Sequence, residues 1–208
     1  MNRNEIINKL AIKINAKTYL EIGVRIHSLN FDKINIKHKV GVDPCYEASD
    51  REPDFKLTSD DFFAKNTETF DIIFIDGLHE SEQVERDINN ALLFLNQGGY
   101  IICHDLNPIK EYRQFTLDNP KRKEFVKKTK DTLWNGDCWK AFIKLRQERN
   151  DITMYTIDTD FGCGIISYGR QKLLDIKQEN INYQNLDKNR KEWLNLISVD
   201  EFLNLFIL

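Results

Sequence analysis

Two apolar runs separated by a helical pattern constrain this chain more than any other feature. Residues 70–108 read FDIIFIDGLHESEQVERDINNALLFLNQGGYIICHDLNP. The runs Ile72–Ile75 and Tyr100–Cys103 each end abruptly in polar residues, Asp76-Gly77-Leu78-His79 after the first and His104-Asp105 after the second. Between them Val84, Ile88, Ala91, Leu92 and Leu95 recur at helical spacing, so the stretch reads as strand, helix, strand. A helical crossover makes the two strands parallel, and consecutive strands are usually neighbours. Asp76, His79, His104 and Asp105 then gather at one edge of a sheet. Open α/β sheets bind ligands at that edge, outside the carboxyl ends of their strands.

The segments before this unit supply more of the same edge. Ile6, Ile7, Leu10, Ala11 and Ile14 predict an amphipathic helix over residues 4–14. Residues 18–24, TYLEIGV, predict a buried strand ending in Glu21-Ile22-Gly23, where glycine permits a sharp turn and a close ligand approach. A second strand over Lys39–Val42 closes on Asp43-Pro44. Asp43 stands 20 residues after Gly23, where an acid can accept hydrogen bonds from both hydroxyls of a ribose. Taken singly, Gly23 is an ordinary turn and Asp43 a loop carboxylate; their joint placement at strand ends makes them candidates. Residues 54–58, DFKLT, predict a short third strand. Ser59 or Asp60 then either caps the next helix or reaches an adenine, with Phe62 or Phe63 packed nearby.

Beyond Pro108, eight basic residues lie between Lys110 and Lys130, which predicts a mostly solvated helical face. A few of them in a cleft could draw in an anionic substrate. Asn135-Gly136 signals a turn, with Asp137 as the cap of a following helix whose Trp139 and Phe142 belong to the core. Trp134 is the candidate for a pocket wall, with Asp137 beside it. ITMYTI (152–157) and CGIISY (163–168), joined by DTDFG, predict an antiparallel hairpin. A helical region over Lys188–Leu205 is expected either to cover the site or to meet a second subunit, which leaves a homo-oligomer open. His27 and His38 have no such context and are expected at the surface.

Composition narrows the function classes. The net charge is −3, with 30 basic and 33 acidic residues well mixed, so nothing calls for nucleic acid or an anionic membrane. No apolar run approaches the ~20 residues that span a bilayer. Cys45, Cys103, Cys138 and Cys163 form no C-x-x-C pair, which fits reduced thiols in a cytoplasmic protein.

Glu21-Ile22-Gly23, Gly41-Val42-Asp43-Pro44, Phe74-Ile75-Asp76-Gly77-Leu78-His79, Gly98-Gly99 and His104-Asp105 fall in the order found in class I S-adenosylmethionine-dependent methyltransferases. Over about residues 15–170 the chain resembles the branch that includes metal-dependent sugar and macrolide O-methyltransferases. The resemblance implies a single Rossmann-like domain over 1–208, with residues 171–208 as a helical extension. Its sheet would be seven-stranded and mostly parallel, with an antiparallel terminal hairpin and helices on both faces. It implies that Glu21 and Gly23 contact the methionine end and ribose side of S-adenosyl-L-methionine, that Asp43 holds the ribose hydroxyls, and that Ser59 and Asp60 lie near the adenine. Asp76 and Asp105 match metal ligands for Mg²⁺ (or Mn²⁺), His104 falls beside them, and His79 matches a general base, with Asp76 also at the cofactor. The later glycines of the dinucleotide motif are replaced here by VRIHS.

That chemistry suits these residue types. Methyl transfer to an alcohol needs a hydroxyl made nucleophilic and held in line with the methyl group. Two carboxylates can hold a hard divalent ion, and an imidazole can take a proton near neutral pH. The expected acceptor is a small hydroxylated molecule such as a sugar or nucleotide-sugar, in surface-glycan or natural-product biosynthesis. The competing reading is a non-catalytic module that keeps the methyltransferase fold for interaction or regulation. A Rossmann-type oxidoreductase is disfavoured by the missing G-x-G-x-x-G and by the antiparallel hairpin.

Overall fold

The computed structural model describes residues 1–47 and 50–208. Seven strands form one sheet: β1 (Thr18–Ile22), β2 (His38–Val42), β3 (Phe70–Ile75), β4 (Leu95–Cys103), β5 (Ile152–Ile157), β6 (Cys163–Tyr168) and β7 (Leu196–Ile197). Their order across the sheet is β2-β1-β3-β4-β6-β5-β7. β2, β1, β3 and β4 run parallel, β6 is antiparallel to both of its neighbours, and β7 pairs parallel with β5. The helices are α1 (Arg3–Ile14), α2 (Ser59–Phe63), α3 (Ser81–Leu93), α4 (Pro120–Thr129), α5 (Cys138–Glu148), α6 (Tyr183–Trp193) and α7 (Val199–Phe202). None of them is long and apolar enough to cross a membrane.

Both faces of the sheet are covered, which is why its inner strands read as unbroken apolar runs. Alternate residues serve the two sides. Leu20, Ile22, Ile73, Ile75, Ile101 and Cys103 pack with α2, α3, α5 and α6, around the fully buried Trp139 and Phe142. Tyr19, Ile72, Phe74 and Ile102 pack with α1, α7 and the Phe31–Ile36 segment.

The sheet reaches seven strands by another route than expected. Residues 54–58 do not form a strand: a single parallel bridge joins Phe55 to Val42. Asp54 turns its carboxylate onto the Gly41 N–H, Phe55 stays exposed at the edge against Phe62, and Leu57 turns into the core, so pairing stops at that one bridge. β7 supplies the seventh strand at the opposite edge, from inside the region expected to be helical throughout. Within that region Trp193, Leu194, Ile197 and Phe202 are buried in the two cores, Leu205 is exposed, and Arg190 donates to Asn107 Oδ1 and to the Pro108 carbonyl just beyond β4.

Three smaller expectations also change. Thr58, not Ser59 or Asp60, caps α2, accepting the Asp61 N–H. His27 is buried, not at the surface, because its ring Nδ1 and its backbone N–H both meet Asp50 Oδ2; His38 is exposed as expected. In the basic stretch, Arg113 and Arg122 are buried and structural, bonding Asp131 and the Thr132 carbonyl.

Candidate active site

The last paired row of the parallel strands is Val42, Ile22, Ile75 and Cys103. The residues one step beyond are Asp43, Gly23, Asp76 and His104, so the candidates from four segments form one row along the carboxyl edge. Gly23 has φ +97°, and a Cβ there would lie 2.2 Å from the Asp76 carbonyl oxygen. The glycine is therefore required by the neighbouring strand end itself, whatever ligand approaches.

The acids on the β1–β2 side of the edge accept hydrogen bonds from neutral groups. Glu21 is buried on the α1 face, where its carboxylate accepts from the Tyr19 hydroxyl and from Asn30 Nδ2. Burial pushes its pKa up to about 7 although both hydrogen bonds act to lower it. Asp43 is also buried and accepts the Cys45 N–H at 2.7 Å. Burial raises its pKa too, against backbone hydrogen bonds from Cys45 and Arg25. No salt bridge to it forms among the described residues. Ser59 Oγ and Asp60 Oδ1 share Gln83 Nε2, at 3.1 and 3.2 Å, which places both beside the amino end of α3.

The other half of the row is ionic. Asp76 Oδ1 lies 3.2 Å from His79 Nε2 and 3.4 Å from His104 Nδ1. Asp105, held at φ +64°, brings Oδ2 to 2.9 Å from His104 Nδ1 and 3.5 Å from His79 Nε2. Burial opposes charge on Asp76, but His104 and His79 together hold it well below the usual carboxylate range. The two histidines shift the other way: burial would lower them, and Asp76 and Asp105 raise both. His79 Nδ1 is buried and has no hydrogen-bond partner among the described residues. Trp134 stacks on the His79 ring with centroids 4.7 Å apart, fixed by its indole N–H on the Phe115 carbonyl at 2.8 Å.

Asp137 stands at the start of α5, but its side chain caps none of that helix's backbone N–H groups. Its carboxylate takes the Ser81 N–H at 2.7 Å, capping α3 from across the chain, and also meets Lys140 at 3.0 Å. Two participants were not expected. Asp160, in the β5–β6 hairpin, lies 3.6 Å from His104 Nε2. Arg3, from α1, donates Nη1 to Asp76 Oδ2 at 2.6 Å and sits 3.2 Å from Asp160 through Nε. Nothing in local sequence pairs positions 157 residues apart.

A divalent ion can be tested against this geometry. One ligand atom each from Asp76, His79 and Asp105 lies within 4.8 Å of the others, as do atoms from His104, Asp160 and Cys163. The donor types suit a metal, but their seats are taken. Asp76 carries both histidines on one oxygen and Arg3 on the other, and Asp105 carries His104. Burial pushes the Cys163 thiol up to about 12, which disfavours a thiolate ligand. As arranged, these residues do not fit a metal ion unless a cation leaves.

A family model described as a methyltransferase domain matches residues 41–106, the span that holds Asp43, Ser59, Asp60, Asp76, His79, His104 and Asp105. That match covers well under half of the chain, and the architecture is the Rossmann-like fold found in methyltransferases. Among solved structures, this chain is similar to cofactor-bound Rv0187 from MTB, with a TM-score of 0.54, 13% identity and 82% of each chain covered. It is also similar to the O-methyltransferase TomG from Streptomyces achromogenes, involved in tomaymycin synthesis and solved with SAM, with a TM-score of 0.50, 15% identity and 78% of each chain covered. At such identities the likeness is one of fold. No curated protein matches the chain by sequence.

Proposed function

We propose that this chain is a methyltransferase that moves a methyl group from S-adenosylmethionine to a hydroxyl of a small polar acceptor, with His79 taking the hydroxyl proton. The observation that carries the reading is the Asp76–His79 pair, set in the same strand-end row as Asp43. The bound cofactor supplies an electrophilic methyl on a sulfonium; the protein has to orient the acceptor and remove its proton. In this reading Asp43 accepts hydrogen bonds from the ribose hydroxyls, and Ser59 and Asp60 face the adenine. Asp76 holds His79 through Nε2, which leaves Nδ1 as the ring atom free to accept a proton. Trp134 covers one face of that ring. The preference for a sugar or nucleotide-sugar acceptor rests on the resemblance of the strand-end motifs to those of sugar O-methyltransferases. No step is routed through a metal ion, because Arg3 and the two histidines already occupy the carboxylates.

The test is transfer of a labelled methyl group from S-adenosylmethionine to a panel of sugars, nucleotide-sugars and simple polyols. Label in an acceptor hydroxyl, lost in His79→Ala, is the expected result. Wild-type transfer by His79→Ala would remove the proposed base. No transfer to any acceptor, together with no binding of the cofactor product, would favour a non-catalytic module.

A further inference from the structure

The centre of the ionic cluster holds a side chain with no titration to undergo. Arg3 is the first residue of α1, and its guanidinium reaches across to the carboxyl edge of the sheet. Nη1 lies 2.6 Å from Asp76 Oδ2 and Nε 3.2 Å from Asp160 Oδ2, while the Arg3 backbone N–H donates to that same Asp160 oxygen at 2.8 Å. The tether is short. Asn2 and Glu5 form a capping box around the amino end of α1, and the Thr159 hydroxyl donates to the Met1 carbonyl beside it. Arginine stays protonated in proteins, and its planar fork can join two carboxylates as an oxygen-bound metal ion does. Asp105 adds to the negative field on the guanidinium. A divalent ion drawn to Asp76 and Asp105 would meet a fixed positive charge at bonding distance from one of its own ligands.

We propose that Arg3 is the resident cation of this site, a positioning residue whose guanidinium bridges Asp76 and Asp160 and keeps a divalent metal ion out. Asp76 is then oriented toward His79 by the protein alone. The idea rests on Asp76 and His79 being the working pair, but its test does not need the cofactor.

The experiment is titration of purified full-length protein with Mn²⁺, followed by electron paramagnetic resonance, for the wild type, Arg3→Ala, and Arg3→Ala combined with Asp76→Asn. Wild type is expected to bind no stoichiometric Mn²⁺. Arg3→Ala is expected to gain one site, with affinity raised roughly tenfold or more, and the double variant to lose it again. Arg3→Gln replaces Arg3→Ala if the latter does not fold, as judged by circular dichroism. One Mn²⁺ bound by the wild type as tightly as by the Arg3 variant would overturn the proposal. So would a gained site that survives Asp76→Asn, or no gain in either Arg3 variant. Calorimetry with S-adenosylhomocysteine on the same preparations judges the methyl-transfer reading separately.

Discussion

Two pairs of acids stand at the carboxyl edge of the same sheet, and burial acts on them alike. Glu21 and Asp43, on the β1–β2 side, are met by a phenol, an amide and backbone N–H groups, and burial wins: both pKa values rise. Asp76 and Asp160, beside β3 and in the β5–β6 hairpin, are met by Arg3, His79 and His104, and both fall well below the usual carboxylate range in spite of burial. The difference lies in the partner's charge, since a formal positive charge within a few ångströms outweighs desolvation where neutral donors do not. One half of the row is thus built to offer uncharged hydrogen bonding, the other to keep charge in place.

The strongest way to break this contrast is to remove the charge at its centre. Asp76→Asn keeps the shape but leaves Arg3, His79 and His104 facing an amide. Turnover is expected to fall by about 10²–10⁴-fold, and stability in urea by roughly 3–5 kcal/mol, because the buried cations lose their partner. A variant with wild-type turnover would show that Asp76 is not part of the chemistry.

A second test uses Glu21. Its folded pKa of about 7 lies above the ordinary 4.5, so its contribution is fully present below 4.5 and is lost as pH rises through 7. Glu21→Gln is therefore expected to gain roughly 3 kcal/mol over the wild type at pH above 7, and nothing at pH 4. The difference in denaturation midpoint across that window measures it. A wild type and variant that run parallel in pH would place the Glu21 carboxylate outside its buried pocket.

Asp43 is predicted to matter for binding more than for folding. Asp43→Ala is expected to weaken S-adenosylhomocysteine binding by about 10–100-fold, the value of charge-assisted hydrogen bonds to the ribose. Its effect on the melting temperature should be small by comparison. Unchanged affinity would return Asp43 to an ordinary loop carboxylate.

The mildest effect is in the histidines. Their folded pKa values are raised, so their stabilising contribution is complete below the ordinary value near 6.5 and fades as pH climbs through the folded values. Activity is expected to move the opposite way, rising above pH 6.5 as His79 gives up its proton. A rate profile flat over that range would contradict a histidine base.

The parts legible in the sequence were those where one period and one turn decide the outcome. Ile72–Ile75, the helical spacing from Val84 to Leu95, and Tyr100–Cys103 could pack in only one way, and with them came Asp76, His79, His104 and Asp105 at one edge. What stayed hidden depends on partners far along the chain. Phe55 looks like a strand residue locally, but no further strand lies beyond it to bury its face. Leu196 and Ile197 form a strand only because β5 offers an open edge inside an otherwise helical region. Asp137 reads as a cap of α5, and the Ser81 N–H, 56 residues earlier, takes it instead. Arg3 and Asp160 carry no local signal, and only the docking of α1 against the β5–β6 hairpin brings them together.

The most direct test of the central claim is a calorimetric titration with S-adenosylhomocysteine of the wild type beside Asp43→Ala and Asp76→Asn. One-to-one binding by the wild type, weakened in Asp43→Ala and nearly unchanged in Asp76→Asn, is the predicted outcome and would separate the cofactor half of the edge from its chemical half. Absence of binding by the folded wild-type protein would contradict the account.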